Sequence, residues 1–186
     1  MEELREDRRY TYADYCTWDD NERWEIIDGE AYSMSPAPRP RHQSVIGEIY
    51  GQLRGFLKGK PCKAFIAPFD VRLDETGQDD TVVQPDLVVI CDRSKIDDKG
   101  CNGAPDLVIE VLSPASASRD RWVKFNLYQR FGVREYWIVD PDSGTVAAHL
   151  LESGKYTAFA YGDTGTAPVA VLPGCDIDLK EVFEEL

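Results

Sequence analysis

An acidic residue inside an unbroken apolar run, at residues 105–112, constrains the fold of this chain more than any other feature. Glu110 is surrounded in that run by branched apolar residues: Leu107, Val108, Ile109, Val111 and Leu112. A continuous apolar pattern is typical of a strand that is buried on both faces of an α/β sheet. An ionised carboxylate is costly to bury there unless it pairs with a cation or binds a metal. The sequence therefore predicts a partner for Glu110.

A second apolar run, residues 82–90, also carries an acid, Asp86. Two acids from neighbouring strands could hold one hard cation, since Mg²⁺ is commonly bound by one or two carboxylates and several waters. Asp106 shares a strand with Glu110 but lies roughly 13 Å away at about 3.3 Å per residue, too far to chelate the same ion. Asp86 is therefore the expected partner acid, although Pro-Asp also suits a turn at a strand entrance.

The length and the cysteine pattern bound the class of protein. A chain of 186 residues is expected to form a single domain over residues 1–186 with a sizeable core. No apolar run approaches the length of a membrane span, and the first residues are charged rather than signal-like. The five cysteines are scattered, without a C-x-x-C pair, which predicts reduced thiols and a cytoplasmic location.

The net charge of −13 is unfavourable for nucleic-acid binding, which usually needs a basic surface. The charge is segregated, however. Residues 36–63 carry six lysines and arginines against Glu48 alone, and residues 118–136 carry five against two acids. These clusters are compatible with a nucleic-acid partner, although a solvated mixed surface is the commoner explanation for any one of them.

Periodicity and turn residues predict the order helix, hairpin, helix, three strands, helix, strand, hairpin. The two long helices fall at residues 42–58 and 118–131, and the three strands at residues 62–73, 82–90 and 105–112. This order predicts an α/β layer, with a mixed sheet and a helix on each face.

Further polar residues lie near the acidic strands in this arrangement. Asp120, Lys124 and Tyr128 follow an i, i+4, i+8 pattern and form one stripe on the second long helix. A surface lysine lying beside an aromatic ring explains that pattern equally well. Glu25 falls in an alternating strand, where a solvent-facing position is the other interpretation. His42 begins a helix, where capping or solvent contact is the simpler role.

Five segments together resemble one known family. They are WEIIDGE at residues 24–30, QPDL at residues 84–87, EVLSP at residues 110–114, DRWVK at residues 120–124, and residues 128–141. In order and spacing they resemble the Uma-type restriction endonucleases, a branch of the PD-(D/E)XK nuclease superfamily. The resemblance covers about residues 10–180.

The resemblance implies a restriction-endonuclease-like core, a mixed central sheet flanked by helices. Asp86 matches the acid of the "PD" motif and Glu110 the second acid. The lysine of the signature, expected two residues after Glu110, is replaced by Leu112, and Lys124 matches the position to which this branch has moved it. The other matching positions lie in or near the pocket: Glu25, Gln84 and His42, with Asp120 and Tyr128 beside Lys124.

The implied activity is Mg²⁺- or Mn²⁺-dependent hydrolysis of phosphodiester bonds in nucleic acid, and DNA is the expected substrate rather than RNA. Asp86, Glu110 and the backbone carbonyl of Val111 would hold the metal, and Lys124 would stabilise the transition state or orient the attacking water. Glu25 would assist the metal or its water. The resemblance to this superfamily also implies a homodimer.

Two alternatives stay open. One is a catalytically inactive nuclease fold, a DNA-binding or protein-interaction module whose acids form a buried ion pair with Lys124. The other is a metal site with no nuclease activity.

Overall fold

The structure is a computed structural model, and it describes residues 8–18, 22–34, 39–74, 77, 79–113 and 120–184. The side chains of Asp120 and Arg121 lie outside the described set. No helix within these residues is both long enough and apolar enough to span a membrane. The expectation of a single domain over residues 1–186 stays a prediction.

The described residues form one long helix, several short helices and many strands. The helices are α1 (Tyr12–Tyr15), α2 (Pro40–Phe56), α3 (Phe125–Arg130) and α4 (Leu179–Phe183), with a 3₁₀ turn at Arg93–Lys95 and a π-helical turn, Asp120–Lys124, that leads directly into α3. The strands are β1 (Trp24–Ile27), β2 (Glu30–Ser33), β3 (Lys63–Ile66), β4 (Val71–Arg72), β5 (Val82–Val83), β6 (Leu87–Ile90), β7 (Ile96–Asp97), β8 (Gly100–Asn102), β9 (Leu107–Val111), β10 (Glu135–Asp140), β11 (Thr145–Glu152), β12 (Lys155–Tyr161), β13 (Thr166–Pro168) and β14 (Asp176–Asp178).

The central sheet has the strand order β12-β11-β10-β9-β6-β3. It is mixed, because β9 and β10 run parallel whereas β6 and β9 run antiparallel. The predicted fold class, an α/β fold with a mixed sheet flanked by helices, is confirmed. A second six-stranded sheet, in the order β2-β1-β5-β4-β8-β7, was not anticipated by the sequence pattern.

The two faces of the central sheet are covered by different helices. Along β9, Ile109 belongs to the core cluster that contains Ile49 and Leu53 of α2. Val108 belongs to the cluster that contains Leu127 of α3. Because side chains alternate along a strand, Glu110 lies on the same face as Val108, the face covered by α3.

Two segments predicted as single strands are each divided between the sheets. Residues 82–90 form β5 in the second sheet and β6 in the central sheet, with residues 84–86 as the link. Residues 62–73 divide in the same way into β3 and β4. A proline lies between the strands in both cases, and it cannot donate the backbone hydrogen bond that a continuous strand requires. Asp86 therefore lies at a crossing between sheets, at the start of β6.

The expectation of reduced cysteines is wrong for one pair, because Cys62 and Cys91 form a disulfide. β3 and β6 pair antiparallel with Lys63 opposite Ile90, so the two cysteines face each other one residue beyond that pair. Their separation of 29 residues in sequence gives no hint of this contact, which depends on strand register. Among the described residues, the free cysteines are Cys16, Cys101 and Cys175.

Candidate active site

A buried ammonium group bridges two buried carboxylates on the α3 face of the central sheet. Nζ of Lys124 lies 2.8 Å from Oε1 of Glu110 and 2.9 Å from Oε1 of Glu25. The side chain of Lys124 is 4% exposed, and those of Glu110 and Glu25 are 4% and 1% exposed. Lys124 is thus a partner of Glu110, and it reaches the strand from the helical segment that follows.

Tyr128 holds the same carboxylate from one helical turn further on. Its hydroxyl donates to Oε1 of Glu110 over 2.9 Å. Burial, and then the negative charges of Glu110 and Glu25, raise the pKa of Tyr128 well above its ordinary value. The phenol therefore stays protonated and keeps donating to Glu110 at neutral pH.

Glu25 comes from β1, in the other sheet, and the link between the sheets fixes it. The backbone N–H of Gln84 donates to Oε1 of Glu25 over 3.0 Å. Oε1 of Glu25 therefore receives hydrogen bonds from both Gln84 and Lys124. The contact between Glu25 and Lys124 joins the second sheet to the charged groups that lie beside the central sheet.

Asp86, His42 and Val111 form a second, adjoining group. Oδ2 of Asp86 accepts the backbone N–H of Val111 at 2.8 Å. Nε2 of His42 lies 2.9 Å from the carbonyl oxygen of Val111 and 3.3 Å from Oδ2 of Asp86. Leu87 pairs with Ile109 between β6 and β9, so the same register extended by one residue places Asp86 opposite Glu110. The two predicted acids therefore lie on neighbouring segments.

The side chain of Gln84 organises polar residues that sequence reasoning missed. Its Oε1 accepts from Nε of Arg23 at 2.9 Å, and its Nε2 donates to Oδ1 of Asp70 and to the hydroxyl of Tyr15, each at 2.8 Å. Burial, followed by the charge of Asp70, raises the pKa of Tyr15 to about 12. No motif marks Arg23, Asp70 or Tyr15, because their roles arise only when distant segments meet at residue 84.

The predicted metal-binding residues fit Mg²⁺ in their chemistry. The carboxylates of Asp86 and Glu110 and the carbonyl of Val111 are all oxygen donors, the ligands that this ion prefers. Within the part of the chain that the structure describes, no group of three or more His, Cys, Asp and Glu side chains is arranged to hold a metal. Two carboxylates and a carbonyl still match Mg²⁺, which commonly keeps several waters. The side chain of Asp86 is 22% exposed, so water has access to it.

The structure thus brings together most of the residues singled out in the sequence. The first group contains Glu25, Glu110, Lys124 and Tyr128, the second contains His42, Asp86 and Val111, and Gln84 connects the link between the sheets to Glu25. The side chain of Asp120 lies outside the described residues, so its predicted place in the pocket stays a prediction. The catalytic and metal-binding roles of all these residues stay predictions as well.

Comparison with known proteins gives a consistent result. The chain is 29% identical over 152 residues to an uncharacterized protein of Synechocystis sp. (strain ATCC 27184 / PCC 6803 / Kazusa), covering 80% of this chain and 78% of that protein. The fold of the present chain is similar to that of a crystal structure described as a putative nuclease belonging to DUF820 from Anabaena variabilis ATCC 29413. The TM-score is 0.74 at 21% identity, over 94% of this chain and 97% of that one.

The sequence model of the family named Uma2, described as "Putative restriction endonuclease", matches residues 11–180. That span includes Glu25, Asp86, Glu110 and Lys124, the charged residues around which the site is built. The structural neighbour supports the fold, and the family model carries the description as a restriction endonuclease. This chain therefore belongs to the Uma2 family of restriction-endonuclease-like proteins.

Proposed function

We propose that this protein is a Mg²⁺- or Mn²⁺-dependent endonuclease that hydrolyses phosphodiester bonds in nucleic acid, with DNA as its substrate. The observation that carries the proposal is the position of Lys124. Its Nζ lies 2.8 Å from Oε1 of Glu110, so the chain supplies a cation at the second acid although Leu112 replaces the lysine of the signature. Acids can hold the metal that assists phosphodiester cleavage, and a cation beside them can stabilise the charge that develops on the phosphate.

Asp86, Glu110 and the carbonyl of Val111 would hold the metal. His42 lies close to two of these donors, the carbonyl oxygen of Val111 and the carboxylate of Asp86. When bound, the metal supplies a polarised phosphate oxygen and a water of lowered pKa. The chain itself fixes the donors before any ion arrives: the N–H of Val111 orients Asp86, and the hydroxyl of Tyr128 orients Glu110. Donors held in place lose little freedom when they bind a ligand.

Lys124 would act on the phosphate. A buried ammonium group directed at the scissile phosphate stabilises the charge that develops there, or orients the attacking water. Oε1 of Glu25 holds Nζ of Lys124 at 2.9 Å, and Glu25 would assist the metal or its water. Since the lysine side chain is 4% exposed, solvent screens its charge weakly.

The test is cleavage of plasmid DNA and of labelled oligonucleotides, with Mg²⁺, with Mn²⁺ and with a chelator. Glu110→Gln and Asp86→Asn should abolish metal-dependent cleavage while leaving folded protein. Glu135→Gln is the matched control, because Glu135 is also a buried glutamate, but it bonds to the indole of Trp137 and the N–H of Val171. Cleavage by Glu110→Gln at the parent's rate, or no cleavage by the parent under any condition, would contradict the proposal.

The second candidate is a non-catalytic module that binds DNA or another protein. It is favoured by the ion triad itself, in which Glu25, Lys124 and Glu110 already compensate one another. Thermal melts with and without Mg²⁺ or Mn²⁺ separate the two candidates. A nuclease site should be stabilised by metal in the parent and not in Glu110→Gln, whereas a module built on the triad should show no response to metal in either protein.

A homodimer is also part of the proposal, and light scattering after gel filtration measures it directly. A mass of one chain at all concentrations would remove the dimer and leave the catalytic proposal intact.

A further inference from the structure

Arg23 lies on the same face of the first hairpin as Glu25, but nearer to solvent. The carbonyl oxygen of Arg23 accepts the backbone N–H of Met34 over 2.8 Å, which continues the pairing of β1 with β2 by one residue. Because side chains alternate along a strand, Arg23 and Glu25 share a face, with their backbones about 7 Å apart. Glu25 is buried beside Lys124, whereas Arg23 is exposed. This face therefore runs from the buried ammonium group of the candidate active site to a guanidinium group in solvent.

A buried amide holds the guanidinium group of Arg23 in place. Oε1 of Gln84 accepts from Nε of Arg23 over 2.9 Å and from Nη2 over 2.8 Å. At the other end of the amide, Nε2 of Gln84 donates to Oδ1 of Asp70 and to the hydroxyl of Tyr15. An ionised aspartate only accepts hydrogen bonds and an arginine only donates them, so the amide satisfies both in this orientation alone. Asp70 therefore fixes Gln84, and Gln84 fixes Arg23.

The partner that holds Arg23 carries no charge. Arg134, by contrast, is an exposed arginine that pairs with the carboxylate of Asp106 at 3.0 Å. The amide of Gln84 orients Arg23 without neutralising its charge. It takes two of the five N–H groups of the guanidinium, which leaves the others for a further acceptor. A guanidinium group that is fixed by an uncharged partner is well suited to bind an anion from solvent.

We propose that Arg23 binds the phosphate of the substrate strand that adjoins the scissile phosphate at Lys124, and that Gln84 and Asp70 are its positioning residues. The inference rests on the proposed function, because nucleic acid is the polyanion that this function brings across Glu25 and Lys124. The fork of an arginine matches the oxygens of a phosphate. In a chain with a net charge of −13, contacts to phosphate depend on local cations, so the loss of one contact should be measurable.

The experiment is an anisotropy titration of the full chain with a labelled DNA duplex, in chelator and at several salt concentrations. Each phosphate contact releases counterions and adds about 0.9 to the magnitude of the slope of the logarithm of the association constant against the logarithm of salt concentration. Arg23→Gln should weaken binding by about 10-fold at low salt and reduce the magnitude of that slope by about 0.9. Arg23→Lys keeps the charge, so it should keep the slope of the parent.

Arg93→Gln is the matched control, because Arg93 is also exposed and its Nε donates to an uncharged acceptor, the carbonyl of Pro61, over 3.0 Å. Arg93 follows β6, at the opposite end of that strand from Asp86. Arg93→Gln should bind DNA with the slope of the parent. The inference is overturned if Arg23→Gln and Arg93→Gln give the same slope, or if the parent does not bind DNA.

Asp70→Asn tests the positioning of Arg23. The new amide can donate to Gln84, so Gln84 is no longer held with its oxygen toward Arg23. Arg23→Gln should therefore cost less affinity in an Asp70→Asn background than in the parent, a comparison that cancels the change of charge at residue 70. Equal losses in the two backgrounds would remove the positioning role.

These outcomes are separate from the test of catalysis. With Mg²⁺, Arg23→Gln should raise the KM for DNA far more than it lowers kcat, because Arg23 holds the strand and not the metal. The parent's slope in Arg23→Gln, when the parent cleaves DNA only with Glu110 intact, would remove the phosphate contact and keep the nuclease. A reduced slope in Arg23→Gln, when the parent never cleaves, would keep the phosphate contact and support the non-catalytic module.

Discussion

Lys124 is compensated by two carboxylates, and this decides what each substitution in the triad does to stability. Lys124→Met leaves Glu25 and Glu110 buried together without a cation, and we expect a loss of about 3–5 kcal/mol in the free energy of unfolding. Glu110→Gln leaves Lys124 paired with the carboxylate of Glu25, so the free energy of unfolding should fall by less than about 2 kcal/mol. Urea unfolding at neutral pH without metal measures both.

Lys95→Met provides the comparison for Lys124→Met. Lys95 donates to the carbonyl of Ala104 over 2.8 Å, and its loss should cost about 1 kcal/mol, the value of one hydrogen bond. If Glu110→Gln proved as destabilising as Lys124→Met, Glu25 could not be compensating the ammonium group.

His149 gives the protein a pH dependence that a single substitution can isolate. The residue is buried in β11, and burial lowers the pKa of His149 in the folded chain. The unfolded chain therefore binds a proton more readily below about pH 6.5, and folding loses stability as the pH falls, by at most about 1.4 kcal/mol per pH unit. His149→Phe removes this loss and keeps a ring beside Tyr136 and Phe125.

The measurement compares parent and His149→Phe by urea unfolding between pH 7.5 and pH 5.5. The free-energy difference between them should move in favour of the variant as the pH falls. All other titrating groups are shared by the two proteins. A difference in the free energy of unfolding that does not change with pH would therefore show that His149 binds protons equally in the folded and unfolded states.

At the level of secondary-structure elements, two glycines respond in opposite directions to alanine. Gly51 lies within α2, and no other atom lies within 4 Å of the position that a Cβ would take there. Gly51→Ala should therefore stabilise the protein by about 0.5–1 kcal/mol. Gly100 in β8 has a φ of +120°, and a Cβ there would lie 2.2 Å from the carbonyl oxygen of Asp70. Gly100→Ala should therefore destabilise the sheet, and thermal melts of the two variants should shift to opposite sides of the parent.

The elements also show where prediction from sequence succeeded. The periodicity of residues 42–58 and the apolar run around Glu110 located α2 and β9, because each pattern is set by its own element. The division of residues 82–90 between two sheets was missed, since the apolar character continues across Pro85 and only tertiary pairing separates β5 from β6. Lys124 could be assigned to the site only through the family resemblance, because its helical stripe is equally compatible with a surface position.

At the level of the whole molecule, the disulfide lay beyond prediction because cysteine spacing says nothing about strand register. The bridge from Cys62 to Cys91 closes a loop of 29 residues, and chain entropy predicts a contribution of about 3–4 kcal/mol. Reductant should lower the stability of the parent by that amount and leave the double variant Cys62→Ala, Cys91→Ala unchanged. Cys16→Ala, which removes a free exposed thiol, should respond to reductant as the parent does.

Thiol counting by mass spectrometry gives a direct check on this prediction. Five alkylated cysteines in the unreduced, unfolded protein would contradict the bridge.

The charged groups of the site come from segments that are far apart along the chain. Glu110, Lys124 and Tyr128 lie close together in sequence, but Glu25 meets the backbone of Gln84 across 59 residues. Contacts between distant segments form slowly, because the entropy of closing a long loop must be overcome first. During synthesis Glu25 leaves the ribosome long before Lys124 exists. The triad is therefore absent from a nascent chain, and any hydrolytic activity begins only when residues 25–128 have folded together.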